Sequence, residues 1–455
     1  MSGPATLDPT IVTDKRQLAE WLAEGCKPKD EWRVGTEHEK FVFDLADLRT
    51  VPYEGPRGIR TILEGLRDET GWAPLMEGEN LIGLKGEGAS ISLEPGGQLE
   101  LSGAPLKSLH QTCAEVNRHL ALCRKVADRL GLGMLGLGYN PKWPVDEIPH
   151  MPKARYGIMR AYMERIQTQG QKMMHNTCTI QANLDFASEA DMVLKYRVSL
   201  ALQPVAMALF ANSPFANGKP SDYVSWRGHL WTDTDPDRSG APEFVFEDGM
   251  GFERYVDYML DVPMYFVSRG DTLIDASGQS FRDFMAGKLP ALPGERPTLG
   301  DWENHLSTAF PDVRLKRFLE MRAADGGPWK RICALPAFWV GLLYDQTSLE
   351  AAWDLCRNWT PEERAFFTEE APRVGLQAQI GGTTLQEVAE EALLIAENGL
   401  KARGLRDNWG DDETQYLRDL KHIAETGHST ADEMLHRYKT EWNGSVDPVF
   451  SEMAF

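Results

Sequence analysis

Trp32-Arg33-Val34-Gly35-Thr36-Glu37-His38-Glu39-Lys40-Phe41-Val42-Phe43 reads as one strand, and its reading decides the fold. The side-chain period of two puts Glu37 and Glu39 on the same face, with apolar Val34, Phe41 and Phe43 around them. Two like charges on a half-buried face repel, and the remedies are solvent, a basic partner or a shared divalent cation. Taken alone, the pair fits a solvated face as well as a cation site. His38 points to the other face and reads as structural.

Working outward, Ser92-Leu93-Glu94-Pro95-Gly96-Gly97-Gln98-Leu99-Glu100-Leu101-Ser102 places Gln98, Glu100 and Ser102 on one strand face, with Glu94 across the paired glycines. Magnesium takes hard oxygen ligands and keeps waters beside a few carboxylates and substrate phosphates, so neighbouring Glu-rich strands fit a nucleotide-metal bed. A surface strand with a bulge fits too. In Thr177-Cys178-Thr179-Ile180-Gln181-Ala182-Asn183-Leu184-Asp185 the odd positions are polar while Ile180 and Leu184 face the other way, which describes either a ligand-binding floor or a sheet face open to water.

Glu320-Met321-Arg322-Ala323-Ala324-Asp325 follows Arg314, Lys316 and Arg317; Glu320 and Arg322 share a face if the segment is extended. A carboxylate beside a guanidinium can hold metal and phosphate together, or simply form a surface ion pair. Arg155 and Arg160 sit among aromatic and apolar residues, and Arg227 lies between Trp226 and Trp231, with Arg238 beyond. Stacking and desolvation strengthen a carboxylate pair, which favours Arg227 as a capture residue; bracing and solvation remain open for Arg155, Arg160 and Arg238.

Around these motifs the pattern predicts a helix capped by Thr13, helices over 57–70, 105–130 and 188–211 (the last kinked at Pro204), and a short strand over 134–139. Strands and helices alternate without a regular βαβ rhythm, so the fold class is α+β, an antiparallel sheet backed by helices. The 455 residues divide into a catalytic domain over 14–345 and a helical extension over 346–455. The glycines of 131–138 lack the spacing of a dinucleotide loop and point to close packing.

A net charge of -20, from 48 Lys plus Arg against 68 Asp plus Glu, argues against nucleic-acid and anionic-membrane partners. Six cysteines with no C-x-x-C pair, no apolar h-region at the start and no apolar run of spanning length lead to the expectation of a reduced, cytoplasmic protein.

Taken together, GCKPK from Gly25, GTEHEKF from Gly35, SLEPGGQLELSGAPL from Ser92, LHQTCAEVN from Leu109, TCTIQANLDF from Thr177, ALFANSPF from Ala208, WTDTDPDR from Trp231, YVDYMLDVPMYF from Tyr255 and ALPAFWVGLLYD from Ala334 resemble the plant-type glutamate-cysteine ligases, also found in proteobacteria. The resemblance implies a saddle-shaped antiparallel sheet of glutamine-synthetase-like type. Its concave face would hold ATP and Mg2+ for joining glutamate to cysteine, the first step of glutathione biosynthesis. The alternatives are a ligase of this fold using another amine and a non-catalytic nucleotide-binding protein. By resemblance Glu37, Glu39, Glu94, Glu100, Gln181 and Glu320 are the metal candidates; Arg322 and Asn183 would contact nucleotide. Arg227, Tyr265, Arg155, Arg160, Thr177 and Thr179 would bind substrate, with Arg322 and Arg227 acting in catalysis. Of the family's two disulfides, the positions of one match Ala276 and Ala291, so that bridge cannot form, and the other matches Cys113 and Cys333. The expected partners are therefore small-molecule substrates, with the chain a monomer or weak homodimer and any thiol control running through Cys113 and Cys333.

Overall fold

The computed structural model describes residues 8–270 and 272–455. The first helix, α1 (Lys15–Ala23), starts one residue later than the Thr13 cap predicts: Asp14 accepts the Arg16 N–H at 2.9 Å, and Gln17 Oε1 accepts the Asp14 N–H at 3.0 Å. Gln17 at the third helical position completes a reciprocal capping box around Asp14, while Thr13 donates to the same glutamine oxygen from outside.

The predicted strand is β1 (Val34–Asp44), the centre of a nine-stranded antiparallel sheet. After α2 (Ile59–Thr70) come β2 (Ala73–Glu77), β3 (Asn80–Gly86), β4 (Ala89–Leu93) and β5 (Leu99–Ser102). Then follow α3 (Leu109–Leu130), β6 (Leu132–Leu135), α4 (Ala154–Ile166), α5 (Gly170–Asn176), β7 (Ile180–Leu184), α6 (Glu189–Leu209) and α7 (Trp226–Trp231). The last strands of the sheet are β8 (Val313–Leu315) and β9 (Leu319–Met321). Their spatial order is β8-β9-β7-β1-β5-β4-β3-β2, with β6 paired to the outer half of β1. The hairpins β2–β5 and β8–β9 pair in sequence order, but β1 pairs with the distant β5, β6 and β7 and β7 with β9, which brings the carboxylate-bearing motifs singled out above to one sheet.

One face is apolar. Ile180, Ala182 and Leu184 of β7 and Leu315 and Leu319 of the last hairpin join a continuous core with α6 and the helices Trp329–Leu343 and Leu385–Arg403. The helices after residue 346 thus share this core with the sheet. A second cluster packs α2 and α3 against β3–β5 and extends to Tyr156, Met159, Met173 and Met174 of α4 and α5. His38 and Lys40 are fully buried on the reverse side of β1, where His38 meets His119 of α3 edge to face at 5.5 Å. Gly133, Gly136 and Gly138 pack closely, as expected, a Cβ at Gly133 meeting the Phe43 ring at 2.3 Å, whereas Gly131 has open space around it and ends α3 in the left-handed region at φ +68°.

Among the described residues no helix is long and apolar enough to cross a membrane.

Candidate active site

The polar face of the sheet carries a cavity of about 130 Å³. Cross-strand register assembles its floor. Glu39 stands directly opposite Glu100, and Glu37 is flanked by Ser102 on one side and Gln181 on the other. Directly opposed like charges destabilise an antiparallel pair, so this register costs stability unless something positive enters. Glu94 is brought to the same side by the β4–β5 turn, where Gly97 sits at φ +84° and Gln98 Oε1 accepts the Gly96 N–H at 2.8 Å. Gly96 tolerates no side chain, since a Cβ would lie 2.1 Å from the His175 carbonyl. Gln98 is therefore a brace: its amide also donates to the Met174 and Thr177 carbonyls, tying the turn to α5.

Charge is divided across the cavity. On the β4–β5 side, burial and then the neighbouring Glu100 and Glu94 push the Glu39 carboxyl well above the usual range, and Arg227 offsets only part of this. Glu39 accepts the Thr179 N–H at 2.9 Å, and Ser92 donates to Glu100 at 2.9 Å. On the β8–β9 side, Glu320 is fully buried but held by a fork from Arg314 at 2.7 and 2.9 Å, by Lys316 at 3.4 Å and by Arg322 at 2.6 Å. Burial raises its carboxyl, but these three cations outweigh burial and hold it well below the usual carboxylate range. Arg322 also donates to Gln181 at 2.5 Å.

Arg227 enters from the wall. Ser225 caps α7 by accepting the Gly228 N–H, and the guanidinium donates to the Ala323 and Arg322 carbonyls at 3.0 and 2.9 Å. Those two bonds leave three of its five N–H donors for a ligand. Four buried polar atoms lining the cavity have no protein partner: Glu94 Oε1, Arg155 Nε, Arg227 Nε and Trp231 Nε1. Such atoms are rare inside proteins and call for an explanation; several around one cavity fit a ligand's hydrogen bonds.

The cavity thus gathers Glu37, Glu39, Glu94, Glu100, Gln181, Glu320, Arg155, Arg227, Arg322, Thr177 and Thr179. Three sequence candidates lie outside its lining. Asn183 donates to Glu37 at 2.8 Å from beside the floor. Tyr265 is buried 4.0 Å under the Arg238 guanidinium with an unpartnered hydroxyl. Arg160 sits on the outer part of α4, where its carbonyl accepts from Gln171.

Residues not anticipated from the sequence also shape the site. Trp231, Phe310, Met173 and Met174 line its walls. Asp312 lies behind Arg227 and Arg322; burial raises its carboxyl to about 6 against the pull of both arginines. Asp325 is buried and accepts from Asn212 N at 2.8 Å, Ser213 Oγ at 2.7 Å and Ser225 Oγ at 2.9 Å, so its carboxylate anchors the start of α7. The only sequence signal for this role was its proximity to Arg322.

Among the described residues no three His, Cys, Asp or Glu side chains form a ready-made metal cage. Magnesium needs none, since it keeps waters and binds through one or two carboxylates plus phosphates. The opposed Glu39 and Glu100 with Glu94 beside them suit such a cation, whose charge would relieve the rise in the Glu39 carboxyl.

The architecture is an antiparallel sheet with a polar working face and helices behind it. Residues 33–452 match the glutamate-cysteine ligase family 2 (GCS2). The chain is 53% identical over 457 residues to the chloroplastic glutamate-cysteine ligases of Medicago truncatula and Arabidopsis thaliana, covering all of this chain and 88% and 86% of theirs. Among solved structures, the glutamate-cysteine ligase of Francisella tularensis in complex with AMP superposes with a TM-score of 0.53 at 12% identity, over 93% of this chain and 89% of that one. The chain belongs to the glutamate-cysteine ligase family 2, and it is an enzyme of that family. The expectation of a cytoplasmic protein is corrected by these relatives, which are named chloroplastic. Cysteine content and net charge do not distinguish a plastid stroma from a cytosol.

Proposed function

We propose that the cavity on the polar sheet face is where this glutamate-cysteine ligase joins the γ-carboxylate of glutamate to the amine of cysteine, driven by ATP. The observation that carries the assignment is the division of the cavity into a carboxylate side, Glu39, Glu94 and Glu100, and a guanidinium side, Arg227 and Arg322, with unpartnered buried donors between them.

A carboxylate does not condense with an amine in neutral water because its oxygen is a poor leaving group. A γ-carboxylate oxygen of glutamate therefore attacks the γ-phosphorus of ATP; the new O–P bond forms as the bond to ADP breaks. The cysteine amine then attacks the acyl carbon, the C–N bond forms, and inorganic phosphate leaves with the former carboxylate oxygen while the nitrogen releases its proton to solvent. The chain's contribution is positioning and charge neutralisation. Arg322 meets the transferred phosphoryl group, and the free N–H donors of Arg227 receive the glutamate α-carboxylate. Arg155 Nε and Trp231 Nε1 supply further donors across the cavity.

Glu37, Glu39, Glu94 and Glu100 would hold magnesium, which when bound neutralises the polyphosphate and acts as a Lewis acid. Gln181, now engaged by Arg322, becomes available to it once that guanidinium turns to a phosphate, while Glu320 stays forked by Arg314 and paired with Lys316 and anchors the cation side of the cavity.

Glutamate labelled with ¹⁸O in its γ-carboxylate tests the route. One labelled oxygen per turnover is expected in the released phosphate; unlabelled phosphate alongside formed product would rule out the acyl phosphate.

A further inference from the structure

At the end of β1 remote from β6 lies a second cavity, of about 400 Å³, which the ligase reaction does not use. Lys29, Arg33, Lys107 and Arg403 line it, against the carboxylates of Asp30 and Asp345. In a chain with a net charge of -20, an excess of cations around one concavity is the reverse of what composition alone would place there. These cations are also poorly neutralised. Among the described residues Lys29, Arg33 and Lys107 form no ion pair; the Arg33 guanidinium donates only to the Asp30 and Trp32 carbonyls. Arg403 is paired through Nε with buried Glu413 at 3.1 Å, and its Nη2 lies 3.4 Å from the Lys107 carbonyl. Asp345 is already committed, capping the following helix by accepting the Ser348 N–H at 3.0 Å.

The aromatic walls join this cavity to the catalytic sheet. The Trp32 and Tyr344 rings meet at 4.7 Å, and the fully buried Lys195 ammonium, ion-paired with Asp191 at 2.9 Å, lies 3.4 Å from the Trp32 ring centroid and holds that ring from behind. The Tyr344 hydroxyl donates to the Arg33 carbonyl at 2.5 Å and accepts the Asp185 N–H at 2.7 Å. It therefore ties the first residues of β1 to the end of β7, the two strands that carry Glu37, Glu39 and Gln181.

We propose that this cavity is a binding site for a compact polyanion, a phosphorylated or polycarboxylate small molecule, held by Lys29, Arg33, Lys107 and Arg403 over the Trp32–Tyr344 pair. Its volume falls within the range of small-molecule sites and exceeds the needs of a single inorganic ion. An occupant would rest on the hydroxyl-bridged seam between β1 and β7, about four residues along β1 from the metal candidates.

The test uses the full chain labelled with 5-fluorotryptophan, with the Trp32 ¹⁹F resonance assigned by Trp32→Phe. Pyrophosphate and citrate are titrated separately, without magnesium, up to millimolar concentration. Saturable movement of the Trp32 resonance by at least one of them is expected, and which one distinguishes phosphate from carboxylate chemistry. In Lys29→Gln/Lys107→Gln, which removes two solvent-facing charges while leaving the aromatic walls intact, binding should weaken about tenfold or more. Basal ligase activity should be unchanged, since neither lysine lines the catalytic cavity. A Trp32 resonance that neither anion moves, or one that moves equally in the double variant, would overturn the proposal.

Discussion

Glu39→Gln separates a functional carboxylate from a structural one, because the structure predicts opposite signs for stability and activity. Glu39 faces Glu100 across the β1–β5 ladder, and Glu94 adds a third carboxylate nearby. Side chains so opposed have Cβ atoms about 5 Å apart, and two full charges at that distance repel by about 3 kcal/mol at an effective dielectric constant near 20. The raised Glu39 carboxyl already relieves part of that repulsion by holding its proton, so removing the charge should stabilise the metal-free protein by about 1 kcal/mol. Glutamine keeps an oxygen that can accept the Thr179 N–H, so the backbone contact survives. Stabilisation by added magnesium should shrink, and magnesium affinity should fall by at least the about 10–100-fold that outlying metal-site residues cost. Turnover should drop by orders of magnitude. Denaturant unfolding with and without magnesium, together with phosphate-release kinetics, provides both signs. A Glu39→Gln protein that is less stable without metal and turns over at a near-normal rate would refute the reasoning.

Arg227→Lys loses the planar fork while retaining charge, and should raise KM for glutamate far more than KM for ATP; equal changes in both would contradict its assignment. Asp325→Asn cannot accept all the hydrogen bonds from Asn212, Ser213 and Ser225, so α7 shifts and KM for glutamate should rise about ten- to a hundredfold with KM for ATP little changed, as steady-state kinetics can check. Burial holds His175 and His305 at about 4, below the ordinary value of 6.5, so both stay neutral in the folded state while the unfolded chain takes up their protons. Their stability contribution is present above about pH 6.5 and is lost as pH falls towards 4, by about 3 kcal/mol each at the limit, and an unfolding midpoint unchanged across that range would refute this. Cys113 and Cys333 are buried free thiols, and burial followed by the hydrogen bond to Cys333 raises the Cys113 thiol. Oxidation should therefore be slow, and any dithiothreitol sensitivity of activity should vanish in Cys113→Ser.

Much of the working face was legible because strand periodicity is strict. Glu37 and Glu39, and likewise Glu100, could face nowhere but one side once their segments were read as strands. The carboxylates also carried their chemistry in their charge. Pairing was less legible: that β1 lies between β5 and β7, setting Glu39 against Glu100 and Glu37 against Gln181, depends on long-range register that no local pattern encodes. The roles of Gln98 and Asp325 were hidden for a related reason. Gln98 shares a strand face with Glu100 in the sequence, yet the turn at Gly96 and Gly97 lets its amide brace α5. Asp325 follows Arg322 closely, but its partners Asn212, Ser213 and Ser225 lie about a hundred residues earlier. The boundary of α1 moved because Asp14 with Gln17 forms a reciprocal cap, which Thr13 could not complete.

The central claim is tested most directly by mass-spectrometric detection of γ-glutamylcysteine from the purified protein with ATP, magnesium, glutamate and cysteine, repeated with each component omitted and with other amines in place of cysteine. Product that requires all four components, and cysteine above the other amines, is the predicted result. Phosphate release with another amine in preference to cysteine, or no turnover with any amine, would contradict it.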